Sequence, residues 1–356
     1  MKITGVATTG VLAPLPTPLR TASGSIERFP LVLIELATDA GVPGRAYAQS
    51  YFPELLPALE RTVAGLGQMV VGESLAPRDL HALVQRRCRL IGVKGLVGMA
   101  LGALDMAWWD AWARARGQPL ARALGAELRP LPAYNSVGLY DAASVVAVAQ
   151  ETVAAGFAGL KIKLGFATLA EDLAAVRAAR RALGDGPALM VDYNQSLSAP
   201  EAMRRCRALD DEGLAWIEEP VPADDLQACA GIATAVRTPI QIGENFHGPG
   251  EMRAAIAAGA MDLVMPDAQF VHGVTGWLEA AALAHAAALP MSSHIFVEAS
   301  SQLLCATPTA HWLEVLDATA ALRRGRIDLR GGNVHPSDAP GIGLEWLDEA
   351  VARYRA

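Results

Sequence analysis

No two of the four cysteines in this 356-residue chain, Cys88, Cys206, Cys229 and Cys305, stand at a metal-ligand or redox spacing. A disulfide scaffold, a zinc module and a dithiol centre are therefore excluded, and the thiols read as small core residues of a reducing compartment. No window of 18 apolar residues escapes polar interruption; even Ala280–Met291 contains His285, which argues against a membrane-spanning helix. There is no Lys/Arg block, and the net charge of −7 argues against nucleic acid as a partner. Met1-Lys2-Ile3 runs straight into a strand-like segment without an apolar leader, so the expected location is the cytoplasm. The apolar fraction is 52% and the mean hydropathy +0.25. The chain is also long enough for a barrel plus a smaller domain.

The first forty residues read as antiparallel strands, Lys2–Val11 and Leu31–Thr38, with the alternation ending at the turn signal Asp39-Ala-Gly41. Helical patterns follow over Glu54–Val71, Arg78–Leu90 and Leu96–Arg116, so residues 1–130 form an α+β unit. From Leu131 short apolar strands alternate with Ala-rich helices. The strands are expected at Ala133–Leu139, Gly159–Leu164, Leu189–Asp192, Leu214–Glu218, Ile240–Glu244, Leu263–Asp267, Met291–His294 and Trp312–Leu316. Thr168-x-x-Glu171 and Ser198-x-x-Glu201 carry the capping-box pattern. Eight strands joined by helices predict a closed α/β barrel over 131–318 with its site at the C-terminal rim. The remainder, 319–356, is too irregular for another repeat and is expected to pack back on the N-terminal unit.

Three acids punctuate that barrel. Asp192, Glu218 and Glu244 stand twenty-six residues apart, twice over, each closing an apolar run. One strand plus one helix takes about that length, so three successive parallel strands would each end in a carboxylate on one rim. Strands lie roughly 4.8 Å apart, close enough for three side chains to converge on a hard cation such as Mg²⁺. Periodicity alone does not choose between Glu218 and Glu219. Lys161 and Lys163 stand at i and i+2 of one strand and so face the same way. At roughly 7 Å they repel by about 2 kcal/mol at an effective dielectric of about 20. That repulsion lowers one lysine pKa from about 10.4 toward a usable base. Asp267 and His294 end adjacent strands, where a carboxylate can fix the imidazole tautomer; His81, His272, His285 and His335 read as structural. Glu314 ends the last strand facing the same mouth. Lysines on one side of the acid strands and His294 on the other suit removal of a proton α to a carboxylate. The ion and Glu314 would then hold the enediolate.

These residues resemble the mandelate racemase/muconate lactonizing branch of the enolase superfamily, whose sites pair a Lys or His base with Mg²⁺. The most specific stretches are Lys161-Ile-Lys163, Val191-Asp-Tyr-Asn-Gln-Ser196, Trp216-Ile-Glu-Glu-Pro220, Gly243-Glu-Asn245, Met265-Pro-Asp-Ala268, Pro290-Met-Ser-Ser-His294 and His311-Trp-Leu-Glu314. The resemblance implies a modified (β/α)7β TIM barrel under an N-terminal α+β cap that the C-terminal tail completes. It implies Asp192, Glu218 and Glu244 as Mg²⁺ ligands, with Mn²⁺ as a substitute. Lys163 becomes the base for the S enantiomer, and His294 with Asp267 the base for the R enantiomer. Lys161 neutralises the substrate carboxylate, Glu314 donates to it, and Asn194 and Ser136 give polar support. Two lid loops, Pro18–Ile26 and Gln49–Pro53, would place Ile26 and Tyr51 against the substrate. The implied activity is racemisation of mandelate or a similar aromatic or apolar 2-hydroxy acid by two-base proton transfer, in a homo-oligomer, octamer or dimer. The alternative is an acid-sugar dehydratase, which needs a polar lid; this one offers mainly Arg20, Ser23 and Tyr51.

Overall fold

The computed structural model describes residues 1–21 and 24–356, so Ser23 of the first lid lies outside the described residues. The chain opens with a three-stranded antiparallel sheet in the order β1-β2-β3, from β1 (Ile3–Thr21), β2 (Gly24–Thr38) and β3 (Gly44–Gln49). Sequence patterning missed β3 and ended the first strand too early. The described residues of the segment expected as a lid loop, Pro18–Ile26, belong to strands β1 and β2, with Leu19 paired to Ile26 and Thr21 to Gly24. Pro14 and Pro18 break the alternation in sequence, yet β1 is an edge strand, where proline is tolerated. Helices α1 (Leu56–Gln68), α2 (Pro77–Arg87), α3 (Gly95–Arg114) and the short α4 (Leu120–Ala123) complete this unit. Trp108 of α3 is fully buried.

The barrel alternates β4 (Leu131–Leu139), α5 (Val145–Ala155), β5 (Gly159–Lys163), α6 (Leu169–Leu183), β6 (Ala188–Asp192) and α7 (Ala199–Leu209). It continues with β7 (Ile217–Glu218), α8 (Leu226–Ala235), β8 (Ile240–Ile242), α9 (Pro249–Ala258), β9 (Leu263–Val264), α10 (Gly273–Ala286), α11 (Val297–Cys305) and β10 (Leu313–Val315). Strands β4 to β9 pair in parallel in chain order, and β10 closes the ring by pairing with β4. The seventh stave, expected as a strand over Met291–His294, is not a continuous strand: it is joined by isolated bridges from Met291 to Val264 and Ala310 and from His294 to Asp267, with Ser293 N donating to Trp312 O. Thr168 forms its capping box with Glu171, whereas Ser198 makes no side-chain cap. Glu201 is drawn instead to Arg204 and Arg205, at 2.6 Å from each: two charged partners outcompete one backbone N–H.

Beyond the barrel, β11 (Asp328–Arg330) and β12 (Asn333–His335) form a hairpin on β4, and α12 (Asp348–Tyr354) follows. Between them the tail completes the cap: Ile342 N donates to Asp110 of α3 at 2.7 Å, and Arg114 Nη1 meets Glu345 at 2.7 Å. Tyr134 of β4 and Met190 of β6 pack with Trp216 and Trp312, which immediately precede β7 and β10, as a largely aromatic floor under the mouth. The four cysteines are free and buried. Among the described residues no helix is long and apolar enough to cross a membrane.

Cap and barrel meet without slack. A Cβ on Gly102 of α3 would fall 2.1 Å from the carbonyl oxygen of Gln269. Buried Asp105 of α3 caps α10 across this seam, accepting from Thr275 N at 2.8 Å and Thr275 Oγ1 at 2.7 Å. His272 is wedged beside it with a left-handed φ of 73°, and it is 5% exposed. Burial, with His81 and His247 nearby, pushes its pKa down to about 4 from 6.5. A depressed histidine contributes stability that is present above pH 6.5 and is lost as pH falls toward 4. The full difference is about 3 kcal/mol. Denaturant titrations between pH 7 and 4 should therefore show a loss of that order in the wild type. The loss should shrink in His272→Asn, a residue that tolerates this backbone; identical pH profiles would refute the assignment.

Candidate active site

Strand register assembles the site. Lys163 pairs with Asp192 across β5 and β6, and Asp192 pairs with Glu218 across β6 and β7. One oxygen each of Asp192, Glu218 and Glu244 lies within 4.8 Å of the others. Equal spacing in sequence is not equal height, however. The neighbour of Glu218 on β8 is Gln241, and Glu244 joins the cluster from beyond the strand end, after Gly243 with its φ of 139°. Barrel strands are staggered, so the cluster mixes a strand position with a loop position. Glu219 is turned away by a φ of 40°, and its carboxylate accepts from Asn245 Nδ2 at 2.8 and 3.1 Å. Of the two glutamates that periodicity left open, Glu218 is the one whose carboxylate joins the cluster.

The lysines do not depress each other as expected. Lys161 Nζ bridges Glu218 Oε1 and Glu314 Oε1, the latter at 2.8 Å. Lys163 Nζ meets Asp192 Oδ2 at 2.7 Å. Burial disfavours both ammonium charges, but these carboxylates outweigh it and hold both pKa values above the ordinary range. Lys–Lys repulsion acts across a longer gap and loses to direct ion pairs. His294 Nδ1 lies 2.8 Å from Asp267 Oδ2, the pairing expected, which leaves Nε2 3.3 Å from Glu244 and 3.9 Å from Glu314. Burial lowers its pKa, yet Glu244, Glu314 and Asp267 together raise it to about 10. Glu314 shows the reverse: burial pushes it up, while Lys161 and His294 pull it down to about 2. Glu314 is therefore an ionised acceptor in this state. Its expected role as a donor requires that a substrate first take up its two cationic partners.

Asn194, at a φ of 43°, grips Asp192 through its backbone N at 2.7 Å and Nδ2 at 2.9 Å. Ser136, Ile26 and Tyr51 all line the cavity above, which has a volume of about 680 Å³. Apolar walls come from Leu19, Phe29, Phe270 and Leu316; polar groups missed in sequence are Arg28, Gln49, Gln195 and Asn245. Arg20 is exposed and outside that lining. Gln269 was also missed. Its side chain clamps the second lid, accepting from Gln49 N at 2.7 Å and donating to Gln49 O at 3.2 Å. Its backbone N donates to Asp267 at 2.7 Å. A buried glutamine two residues after Asp267 was the available signal.

The donor set fits a divalent cation. Three carboxylates crowd together, those of Asp192 and Glu218 buried and that of Glu244 partly so; burial and mutual repulsion raise Glu244 and carry Glu218 to about 8. Glu244 Oε2 is buried and makes no hydrogen bond. Three converging carboxylates make an all-oxygen set of the kind a hard cation takes.

A barrel of this topology under a cap, with a carboxylate cluster at its mouth, defines the enolase-like class. The chain matches the mandelate racemase/muconate lactonizing enzyme N-terminal domain over residues 3–125 and the enolase C-terminal domain-like family over 144–350. It belongs to the mandelate racemase/muconate lactonizing enzyme family of the enolase superfamily. L-talarate/galactarate dehydratase of Salmonella typhimurium is 34% identical over 73% of this chain, an alignment that spans 66% of that protein, just under two thirds of its length. D-galactarolactone cycloisomerase of Agrobacterium fabrum is 28% identical over 100% of this chain and 99% of its own. An enolase from Bradyrhizobium, solved with magnesium and mandelic acid, superposes with a TM-score of 0.96 at 44% identity, covering 100% of this chain and 98% of that one.

Proposed function

We propose that this protein removes the proton α to the carboxylate of a hydroxy acid, and that the overall reaction is dehydration of an acid sugar. The observation that carries the reading is the flanking of the carboxylate cluster by two proton-transfer groups, Lys163 on the second stave and His294 on the seventh. Lys161, buried between Glu218 and Glu314 beneath the cavity, would pair with the substrate carboxylate, and Asn194 and Ser136, which line the cavity, would orient it. Lys163 takes the α-proton. His294, its Nδ1–H held by Asp267, gives the Nε2 proton to the β-hydroxyl, which leaves as water, and the enol left behind becomes a 2-keto-3-deoxy acid. A substrate of the opposite α-configuration exchanges the two roles. Mg²⁺ held by Asp192, Glu218 and Glu244 would supply positive charge against the charge that gathers on the substrate carboxylate. The acid-sugar dehydratase and cycloisomerase among the relatives support elimination over racemisation, and so do the polar groups Arg28, Gln49, Gln195 and Asn245 in the cavity.

Racemisation of a mandelate-like acid is the second reading. The apolar walls at Leu19, Ile26 and Phe29 favour it, as does the mandelic acid held by the Bradyrhizobium enolase. There one of Lys163 and His294 would remove the α-proton from one face and the other would deliver its own proton to the opposite face. Incubating a panel of acid sugars and single-enantiomer 2-hydroxy acids with Mg²⁺ in D₂O separates the two. Elimination is expected to yield a keto acid seen by NMR. Inversion with deuterium uptake and no keto acid would favour the second reading, and no α-exchange in any substrate would sink both.

A further inference from the structure

Glu218 is held from below. Trp216 immediately precedes β7, two residues before Glu218, and its indole reaches the Glu218 carboxylate. Trp216 Nε1–H donates to Glu218 Oε2 at 2.9 Å, and Gln241, the register partner of Glu218 on β8, donates Nε2–H to the same oxygen at 3.1 Å. All three residues are 0% exposed. Lys161 touches the other oxygen, Oε1. Both donors are uncharged, so they fix the carboxylate without altering the charge of the site. An ionised carboxylate offers about four lone-pair positions, and the two on Oε2 are taken by these N–H groups.

We infer that Trp216 and Gln241 are positioning residues that restrict Glu218 to one-oxygen ligation and thereby set the preference of the site for a small octahedral cation. Mg²⁺ takes single oxygens and waters in near-ideal octahedral geometry, whereas Ca²⁺ takes 6–8 oxygens and readily chelates a carboxylate through both. With Oε2 pinned to the floor, Glu218 cannot swing to present both oxygens, and the cluster falls short of the ligand number Ca²⁺ seeks. Asp192 Oδ2 also takes two donors, Lys163 Nζ and Asn194 Nδ2, but one of them is a cation that a metal ion would repel, while Glu244 Oε2 makes no hydrogen bond and lies 3.3 Å from His294 Nε2. Glu218 alone of the three has one oxygen held by two uncharged donors, which a bound cation would not repel. The inference depends on the cluster being a cation site and is independent of whether the reaction is elimination or racemisation.

The test is the Mg²⁺ to Ca²⁺ affinity ratio, measured by isothermal titration of metal-free protein, for the wild type, Gln241→Met, Trp216→Phe and the double variant. Gln241→Met keeps the side-chain volume and removes the donor; a thermal melt of each metal-free variant checks that it folds. Loss of a partner that orients a ligand typically costs 10–100-fold in metal affinity. Mg²⁺ binding should weaken by that factor while Ca²⁺ binding holds or tightens, so the ratio falls at least tenfold. A role confined to packing would lower the melting temperature and leave the ratio alone. An unchanged ratio in folded Gln241→Met would overturn the inference while leaving the cation site intact. A wild type that binds neither ion would overturn both.

Discussion

Lys163→Ala and His294→Asn should each lower turnover by about 10²–10⁴-fold, the usual worth of one positioned acid or base. The more telling result is what each variant keeps. For an acid sugar whose α-proton faces Lys163, Lys163→Ala should lose both α-deuterium uptake and keto-acid formation. His294→Asn should still exchange the α-proton through Lys163, but without the Nε2 proton the β-hydroxyl leaves slowly. If the protein instead racemises, the pattern is mirrored: each variant loses inversion in both directions yet exchanges one enantiomer, the S form in His294→Asn and the R form in Lys163→Ala. NMR of α-deuterium and of product, substrate by substrate, reads all of this. Full turnover in either variant, or equal loss of exchange for every substrate in both despite retained ligand binding, would contradict the assignment.

Removal of divalent cations by EDTA should abolish turnover, and Mg²⁺, or Mn²⁺ in its place, should restore it. The reason lies in the balance of charge. Asp192 holds Lys163 protonated, and Glu244 and Glu314 hold His294 protonated, so without another positive charge both are poised as acids and neither as a base. Positive charge placed on Asp192, Glu218 and Glu244 weakens these pairings and returns the lysine toward a base. A cation bound only by the folded protein also stabilises it, by about 2.7 kcal/mol at a concentration 100 times its Kd. The melting temperature should rise with Mg²⁺, and Asp192→Asn and Glu244→Gln should abolish both the rise and the turnover. Undiminished activity in a rigorously metal-free preparation would refute this account.

Local chemistry was enough to indicate an α/β barrel under a cap, the places of most of its staves, three cap helices and the acids at 192, 218 and 244, because strand alternation, helix periodicity and capping are properties of short windows. The Lys161-Ile-Lys163 pair and the Asp267–His294 pair were likewise visible, since one face of a strand or two adjacent strand ends suffice to place them. What only the tertiary structure decided were quantities set across strands. The stagger of the barrel put Gln241, not Glu244, level with Glu218. A left-handed turn at Glu219 chose between two adjacent glutamates. An edge position let proline-bearing residues continue as β1. Proximity to Asp192 and Glu218 reversed the expected direction of the lysine pKa values. Each depends on which residue a distant segment brings within about 3 Å, the range of a hydrogen bond or a direct ion pair, and no short window of sequence contains that distance.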